Sequence, residues 1–170
     1  WSASRAGAQS STILAEAEQE ATYAIQLDPA NTLALAYYAE VLVDQQKWLQ
    51  AQQNANQAVK QNPNLMDVRR INAYVLESLG DYNAAIIEYQ AAVEINPNLT
   101  FLYISIGRIY RHLELYDNAL DYFDKAANIN EQIGVKDPIP YLAISNTYVQ
   151  QGQFLIASRN VLKALQINPS

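Results

Sequence analysis

The sequence predicts an all-α protein in which five tandem helix-turn-helix repeats fill the 170 residues. Three observations lead to this fold class. Prolines recur at a fixed interval, alanines and aromatic residues keep the same interval, and apolar residues within each interval have helical spacing. We expect a single array over residues 1–170. Its repeats are expected at about 1–31, 32–65, 66–99, 100–137 and 138–170.

The interval is clearest in four prolines, each of which follows an Asp or an Asn. They are Pro29, Pro63, Pro97 and Pro169. The first three are 34 residues apart, and the fourth follows 72 residues later, after two repeats of which one is longer. Proline disfavours the helical conformation in the residue before it and cannot continue a helix, so each Asx-Pro pair predicts a helix end. Asn64 and Asn98 are then predicted to be the N-caps of the helices that follow.

Three columns of residues keep the register of the prolines through all five periods. They are Ala17, Ala51, Ala85, Ala119 and Ala157; Ala24, Ala58, Ala92, Ala126 and Ala164; and Leu14, Trp48, Tyr82, Tyr116 and Phe154. Alanine at a helix crossing lets the two backbones approach closely, and large side chains fill the space beside it. The columns therefore predict packed helical hairpins.

Each period contains two apolar stripes with the i, i+3, i+4, i+7 spacing of a helix face. The stripes are separated by breaks at Gln45-Gln46, Gly80-Asp81, near Glu114 and Gln151-Gly152. Each period is therefore read as helix, short turn, helix, short turn. No hairpin can bury its apolar face alone, so we expect the repeats to stack into a superhelix with a concave side.

The connection between the fourth and fifth repeats is four residues longer than the others, and Glu131 stands where proline is expected. We interpret residues 130–133 as an extension of the preceding helix, ended by Gly134. Asp137 would then cap the next helix, with Pro138 in its first turn.

The N-terminal end departs from the pattern. The opening helix of the first repeat is weak, with Trp1, Ser4, Arg5 and Ala8 at the stripe positions. The chain begins with Trp rather than Met and shows no targeting pattern, so we expect it to be a fragment of a longer protein. The sequence leaves the compartment open, with the cytoplasm favoured.

These residues resemble the tetratricopeptide repeat (TPR) family, whose pattern is W-x2-L-G-x2-Y, A-x3-F, A and P. The fourth period matches best, through Tyr103, Ile106, Gly107, Tyr110, Tyr116, Ala119, Phe123 and Ala126. The resemblance covers residues 1–168. It implies a right-handed α-solenoid in which the first helix of each hairpin lines a concave groove that binds a protein or peptide.

The composition excludes several other classes of function. With 11 basic and 17 acidic residues the net charge is −6, which repels phosphate backbones, so we expect no nucleic-acid partner. No stretch has the eighteen or more apolar residues of a membrane span, so we expect a soluble chain without membrane insertion. There is no cysteine, only one histidine and no phosphate-binding or nucleophile motif. We therefore expect no enzyme activity, no cofactor and no metal.

The predicted groove residues lie on the first helices, off the packing stripes. They are Ala36, Tyr37, Glu40 and Asp44; Arg70, Tyr74 and Glu77; Ile104, Arg108, Arg111 and His112; and Leu142, Asn146, Val149 and Gln150. Such a groove would be acidic at Glu40 and Asp44 and basic at its other end, with Tyr74 between the two ends. We hypothesise a peptide site centred on Arg70, Tyr74, Arg108 and Arg111, where an Arg pair holds a carboxylate. The alternative is that these residues are solvated polar side chains.

A second function is self-association. Arrays of this kind usually need a polar closing helix, and the sequence shows none after the last hairpin. The apolar side of that hairpin, around Phe154, Val161, Leu162 and Leu165, would then be exposed. An exposed apolar patch promotes association, so this hypothesis predicts a homo-oligomer. An enzyme is the least favoured reading.

Overall fold

A computed structural model describes the backbone of residues 2–168 and the side chains of residues 12–168. Within residues 2–168 the regular structure is helical and contains no strand, which confirms the predicted all-α class. The chain forms two compact units, Trp1–Ile95 and Asn96–Ser170, called unit 1 and unit 2 below.

From α2 onward the helices have 12 to 18 residues and pack in consecutive pairs as hairpins within each unit. Unit 1 contains α1 (Ser2–Leu27), α2 (Thr32–Asp44), α3 (Trp48–Gln61), α4 (Met66–Ser78) and α5 (Tyr82–Ile95). Unit 2 contains α6 (Thr100–His112), α7 (Tyr116–Ile133), α8 (Ile139–Gln150) and α9 (Phe154–Ile167). The hairpins are α2 with α3, α4 with α5, α6 with α7 and α8 with α9.

The first predicted repeat is not a hairpin. α1 runs without a break for 26 residues, where two helices and a turn were expected. Residues 9–13 contain no glycine or proline, so nothing in the local sequence ends the helix at the position of the turn. The expected stripe at Trp1, Ser4, Arg5 and Ala8 lies outside the residues whose side chains are described, as does the fourth proline.

Four hairpin turns are closed by one residue with positive φ, at the breaks that the sequence predicted. These residues are Gln46, Gly80, Glu114 and Gly152. In each turn the next N–H donates to the carbonyl five residues earlier, as the N–H of Lys47 does to Leu42 at 2.8 Å. This left-handed cap satisfies carbonyl groups that the helix end would leave without a donor.

The Asx-Pro connections work differently from the prediction. Asn64 and Asn98 are not N-caps, since the residue after each holds the cap position and makes no side-chain bond there. Instead Oδ1 of Asn62 accepts the N–H of Asn64 at 3.2 Å, and Oδ1 of Asn96 accepts that of Asn98 at 3.3 Å. Proline has no N–H, so the Asx side chain bonds the first N–H after it and forms an Asx turn.

The long connection in unit 2 follows the prediction in part. α7 extends to Ile133 and ends at Gly134, whose φ of 73° is left-handed. Asp137 Oδ1 accepts the N–H of Ile139 at 2.9 Å, but Pro138 rather than Asp137 holds the cap position. Pro138 therefore precedes the helix, and Pro140 lies in the first turn, where a missing N–H costs nothing.

The alanine columns lie where helices cross. From the second period onward both columns are buried: Ala51, Ala58, Ala85, Ala92, Ala119, Ala126, Ala157 and Ala164. α6 and α7 approach each other closely at Gly107. A Cβ placed on Gly107 would lie 2.5 Å from Cε1 of Phe123, and the Phe123 side chain is fully buried. Only glycine fits at this crossing without displacing the ring.

Candidate functional site

In unit 1, α2 and α4 lie side by side and bring predicted groove residues into contact with one another. Nη1 and Nη2 of Arg70 donate to the two carboxylate oxygens of Glu40 at 3.0 and 3.2 Å, and Nε donates to Asp67 at 3.3 Å. Partial burial opposes the charged form of Arg70, but the bonds to Glu40 and Asp67 outweigh it and raise the pKa of the guanidinium. Arg70 is therefore already neutralised within unit 1.

The next turn of the same two helices carries a second cross-link. The Tyr74 hydroxyl donates to Asp44 at 3.0 Å. Burial, followed by the bond to Asp44, raises the pKa of Tyr74 to about 12. Glu77, one turn further along α4, accepts the hydroxyl of Tyr89 on α5 at 3.0 Å. We call Glu40, Asp44, Arg70 and Tyr74 the polar ladder. Its side chains bond each other across the helix pair.

Tyr37, one turn before the polar ladder, is exposed as predicted. Two other predicted groove positions are wrong. Ala36 has no exposed surface, because it packs into the core of unit 1 with Leu35 and Ala39. Ile104 is 9% exposed and belongs to the core of unit 2. A small or apolar side chain beside the packing stripe is covered when the neighbouring helix approaches closely, which helical spacing alone does not reveal.

In unit 2, α6 presents basic residues in its last two turns. Arg108 and His112 are exposed and Arg111 is half-buried. None of the ion pairs and hydrogen bonds described for side chains of residues 12–168 joins Arg108 or Arg111 to a carboxylate. Burial and the neighbouring charge of Arg108 lower the pKa of Arg111. The two guanidinium groups therefore repel each other without a compensating anion.

α8 lies beside α6 within unit 2 and carries exposed apolar residues at the corresponding positions. Leu142 is 41% and Val149 is 47% exposed, seven residues apart on one face, with the exposed Asn146 between them. Gln150 is also exposed. We call Arg108, Arg111, Leu142, Asn146 and Val149 the basic-apolar face. The continuity of one groove through all the predicted residues stays a prediction.

Sequence reasoning missed a network around Glu18 on α1. Its carboxylate accepts Nζ of Lys47 at 2.9 Å, Nε2 of Gln45 at 2.8 Å and the hydroxyl of Tyr38 at 3.4 Å. The bonds from Lys47 and then Gln45 lower the pKa of Glu18. The partners are 20 to 29 residues away in the sequence, so no local pattern signals the contact. The network attaches α1 to the α2–α3 hairpin.

Two other kinds of site are absent from the described part of the chain. Over residues 12–168 no three His, Asp or Glu side chains are grouped so that they could hold a metal ion. In the same part of the chain no helix combines the length and the apolar character needed to cross a membrane.

Comparison with known proteins agrees with this geometry. Two sequence models of the tetratricopeptide repeat family match the chain, at residues 39–99 and 102–133. The chain belongs to the tetratricopeptide repeat family. It is therefore a protein–protein interaction module, and proteins of this family are generally non-catalytic scaffolds.

Curated relatives are much longer than this chain. Human tetratricopeptide repeat protein 6 is 31% identical over 111 residues, which are 65% of this chain and 21% of the relative. Anaphase-promoting complex subunit 3 of Schizosaccharomyces pombe is 31% identical over 114 residues, which are 64% of this chain and 16% of the relative. The matched segment thus spans about a fifth or less of each relative.

Several solved structures share the fold at low sequence identity. A thermophilic TPR protein of Thermus thermophilus superimposes with a TM-score of 0.77 at 20% identity, covering 98% of this chain and 90% of its own. MamA from Desulfovibrio magneticus RS-1 gives 0.75 at 15% identity over 92% and 86%. YrrB, described as a TPR protein with an unusual peptide-binding site, gives 0.68 at 23% identity over 95% and 81%.

Proposed function

We propose that the basic-apolar face of unit 2 binds a peptide segment that carries both acidic and apolar side chains. One observation carries the proposal: Arg108 and Arg111 have no carboxylate partner among residues 12–168, whereas Arg69 and Arg70 of unit 1 are ion-paired. Arg69 Nη1 lies 2.8 Å from the Glu88 carboxylate. An arginine pair without an anion, on a partly buried surface, is ready to accept one.

The chemistry of the neighbouring residues defines the ligand further. A ligand carboxylate between the two guanidinium groups would remove their repulsion and form charge-assisted hydrogen bonds. Leu142 and Val149 offer apolar surface on either side of Asn146, whose amide both donates and accepts hydrogen bonds. A polypeptide supplies all three partners: a carboxylate, apolar side chains and backbone amides. The peptide-binding site ascribed to YrrB supports a ligand of this class.

The test is direct binding of synthetic peptides to the 170-residue chain, measured by fluorescence anisotropy. A peptide set of constant length varies the number of acidic and apolar residues separately. We expect binding to need both kinds, and Arg108→Ala/Arg111→Ala to weaken it at least about tenfold, or about 1.4 kcal/mol. The matched control Lys125→Ala/Lys136→Ala removes the same charge from unit 2 and should leave binding unchanged.

Either of two results would overturn the proposal. The double arginine variant could bind as well as the parent while remaining equally helical by circular dichroism. The control could weaken binding as much as the arginine variant does, which would show that net charge rather than this face attracts acidic peptides.

A second candidate function is self-association through α9. The observation that favours it is the exposure of large apolar side chains on this helix: Phe154, Leu155, Ile156, Val161, Leu162 and Leu165. Leu155 is 69% and Leu162 is 59% exposed, and contiguous patches of this kind mark association surfaces. Sedimentation velocity over a wide concentration range tests it, since a strictly monomeric chain throughout would exclude this function.

A further inference from the structure

One face of α1 points away from the rest of unit 1, and its side chains are exposed. Five exposed residues lie on it with the alternating spacing of three and four that places residues on one side of a helix. They are Ile13, Glu16, Glu20, Tyr23 and Leu27. We call this set the α1 face. It combines two acids with large apolar side chains, of which Leu27 is 68% exposed.

The two acids of the α1 face differ from the neighbouring Glu18. Glu18 points towards the α2–α3 hairpin and is bonded to Lys47. Glu16 and Glu20 take part in none of the ion pairs found within residues 12–168. Because residues four apart on a helix are separated by about 6 Å along its axis, the two carboxylates form a spaced negative pair.

α9 carries the opposite arrangement. Its sequence contains Arg159 and Lys163, also four residues apart, and no acidic residue. Both side chains are exposed, and Lys163 Nζ lies 5.4 Å from the ring centroid of Tyr141. Leu155 and Leu162 flank Arg159 on the same side of the helix. We call Leu155, Arg159, Leu162 and Lys163 the α9 face.

We propose that the α9 face of one copy docks on the α1 face of a second copy, with the two helices antiparallel. This inference rests on the second candidate function, self-association, and names the surface that receives α9. In this register Glu20 faces Arg159 and Glu16 faces Lys163, because both pairs have the same spacing. Tyr23 then packs against Leu155, and Leu162 lies between the two charged pairs, opposite Ala17. The acidic α1 face attracts the basic α9 face, whereas two α9 faces would bring like charges together. The α9 face therefore docks on an α1 face rather than on another α9 face.

The two surfaces are different, so the interface is heterologous rather than two-fold symmetric. Each copy that uses its α1 face still presents its α9 face to a further copy. Repetition gives a closed ring if the rotation between copies closes and an open filament if it does not. Since the central contacts are charged and solvent-accessible, the association should weaken as salt screens them.

Charge reversal tests this pairing in both directions. Variant one carries Glu16→Lys and Glu20→Lys, and variant two carries Arg159→Glu and Lys163→Glu. Each variant alone would juxtapose like charges, so we expect self-association at least about tenfold weaker than that of the parent chain. An equimolar mixture of the two should recover association, because each interface in the mixture joins opposite charges.

Control variants change the net charge equally elsewhere. Glu94→Lys/Asp117→Lys matches variant one, and Lys60→Glu/Lys136→Glu matches variant two, with all four positions exposed. Both controls should associate like the parent. Sedimentation velocity of each protein and of the mixture supplies the readout, and circular dichroism checks the fold.

The results separate this pairing from self-association itself. A parent chain that stays monomeric overturns both. A parent that associates while the charge-reversed variants associate equally, or a mixture that recovers nothing, overturns the α1–α9 pairing and leaves self-association standing. Loss in each variant with recovery in the mixture establishes the head-to-tail contact.

Discussion

The Arg70 guanidinium donates two hydrogen bonds, of 3.0 and 3.2 Å, to the Glu40 carboxylate. This ion pair joins α4 to α2 across 30 residues of sequence. Both side chains are largely shielded from solvent, with 20% and 31% of their surface exposed. A two-pronged, shielded ion pair of this kind is stronger than an ordinary surface pair. Its role is therefore to hold the first helices of adjacent hairpins together.

The ion pair predicts a cost in stability when it is removed. Arg70→Ala leaves the half-buried carboxylate of Glu40 without its partner, so we expect the free energy of unfolding to fall by about 1–2 kcal/mol. Lys125→Ala removes an exposed pair with Asp121 and should cost less than about 0.5 kcal/mol. Urea denaturation measures both. Equal losses of unfolding free energy in the two variants would contradict a special role for Arg70. Peptide binding by unit 2 should be unaffected in both variants.

The crossing of α6 and α7 predicts that Gly107→Ala destabilises the chain, although alanine is the better helix former by about 1 kcal/mol. The new Cβ would overlap the buried ring of Phe123, and overpacking costs about 1–3 kcal/mol. Phe123→Leu creates space at the same point, so the double variant should lose less than the sum of the two single losses. Thermal unfolding of the four proteins of this cycle measures the coupling. Additive losses would show that the ring does not oppose the Cβ.

Two of the hairpin turns place a residue with a side chain in the left-handed region, Gln46 at φ 61° and Glu114 at φ 60°. Glycine adopts this conformation without the steric strain that a Cβ introduces. Gln46→Gly and Glu114→Gly should therefore each raise the free energy of unfolding by about 0.5–1 kcal/mol. Gly80→Ala, at φ 80°, should lower it by a similar amount. A loss of stability in both glycine variants would show that these side chains contribute more than their backbone costs.

Tyr141 predicts a loss of stability at high pH. Its hydroxyl donates to Glu131 at 2.5 Å, and this bond, followed by burial, raises the pKa of Tyr141 to about 12. A pKa raised in the folded state stabilises the fold fully below the ordinary value of about 10, and the contribution is lost as pH rises from about 10 to about 12. Glu131→Gln should flatten that dependence and lower the pKa of Tyr141 in an ultraviolet titration of tyrosinate. Tyr74 should still titrate late in Glu131→Gln, so the same number of late-titrating tyrosines as in the parent would assign the shift to another group.

The polar ladder and the basic-apolar face show which features of the candidate site local sequence patterns predict and which they do not. Helical spacing correctly placed Tyr37, Arg108 and Asn146 on exposed positions of first helices, because one face of each helix is set by its neighbours in sequence. The same reasoning treated Arg70 and Arg108 alike. Only the approach of α2 to α4 distinguishes them, since Glu40 neutralises Arg70 while the described carboxylates leave Arg108 unpaired.

What the sequence determined by itself is the all-α class, the family and the positions of most helix ends. These follow from local rules: proline ends a helix, a left-handed residue closes a turn, and alanine marks a close crossing. The tertiary structure decided the rest. It buried Ala36 and Ile104, and joined Glu18 to Lys47 and Arg70 to Glu40. Those outcomes depend on which helices meet and how closely, and residues far apart in the sequence acquire a partner only when the helices pack.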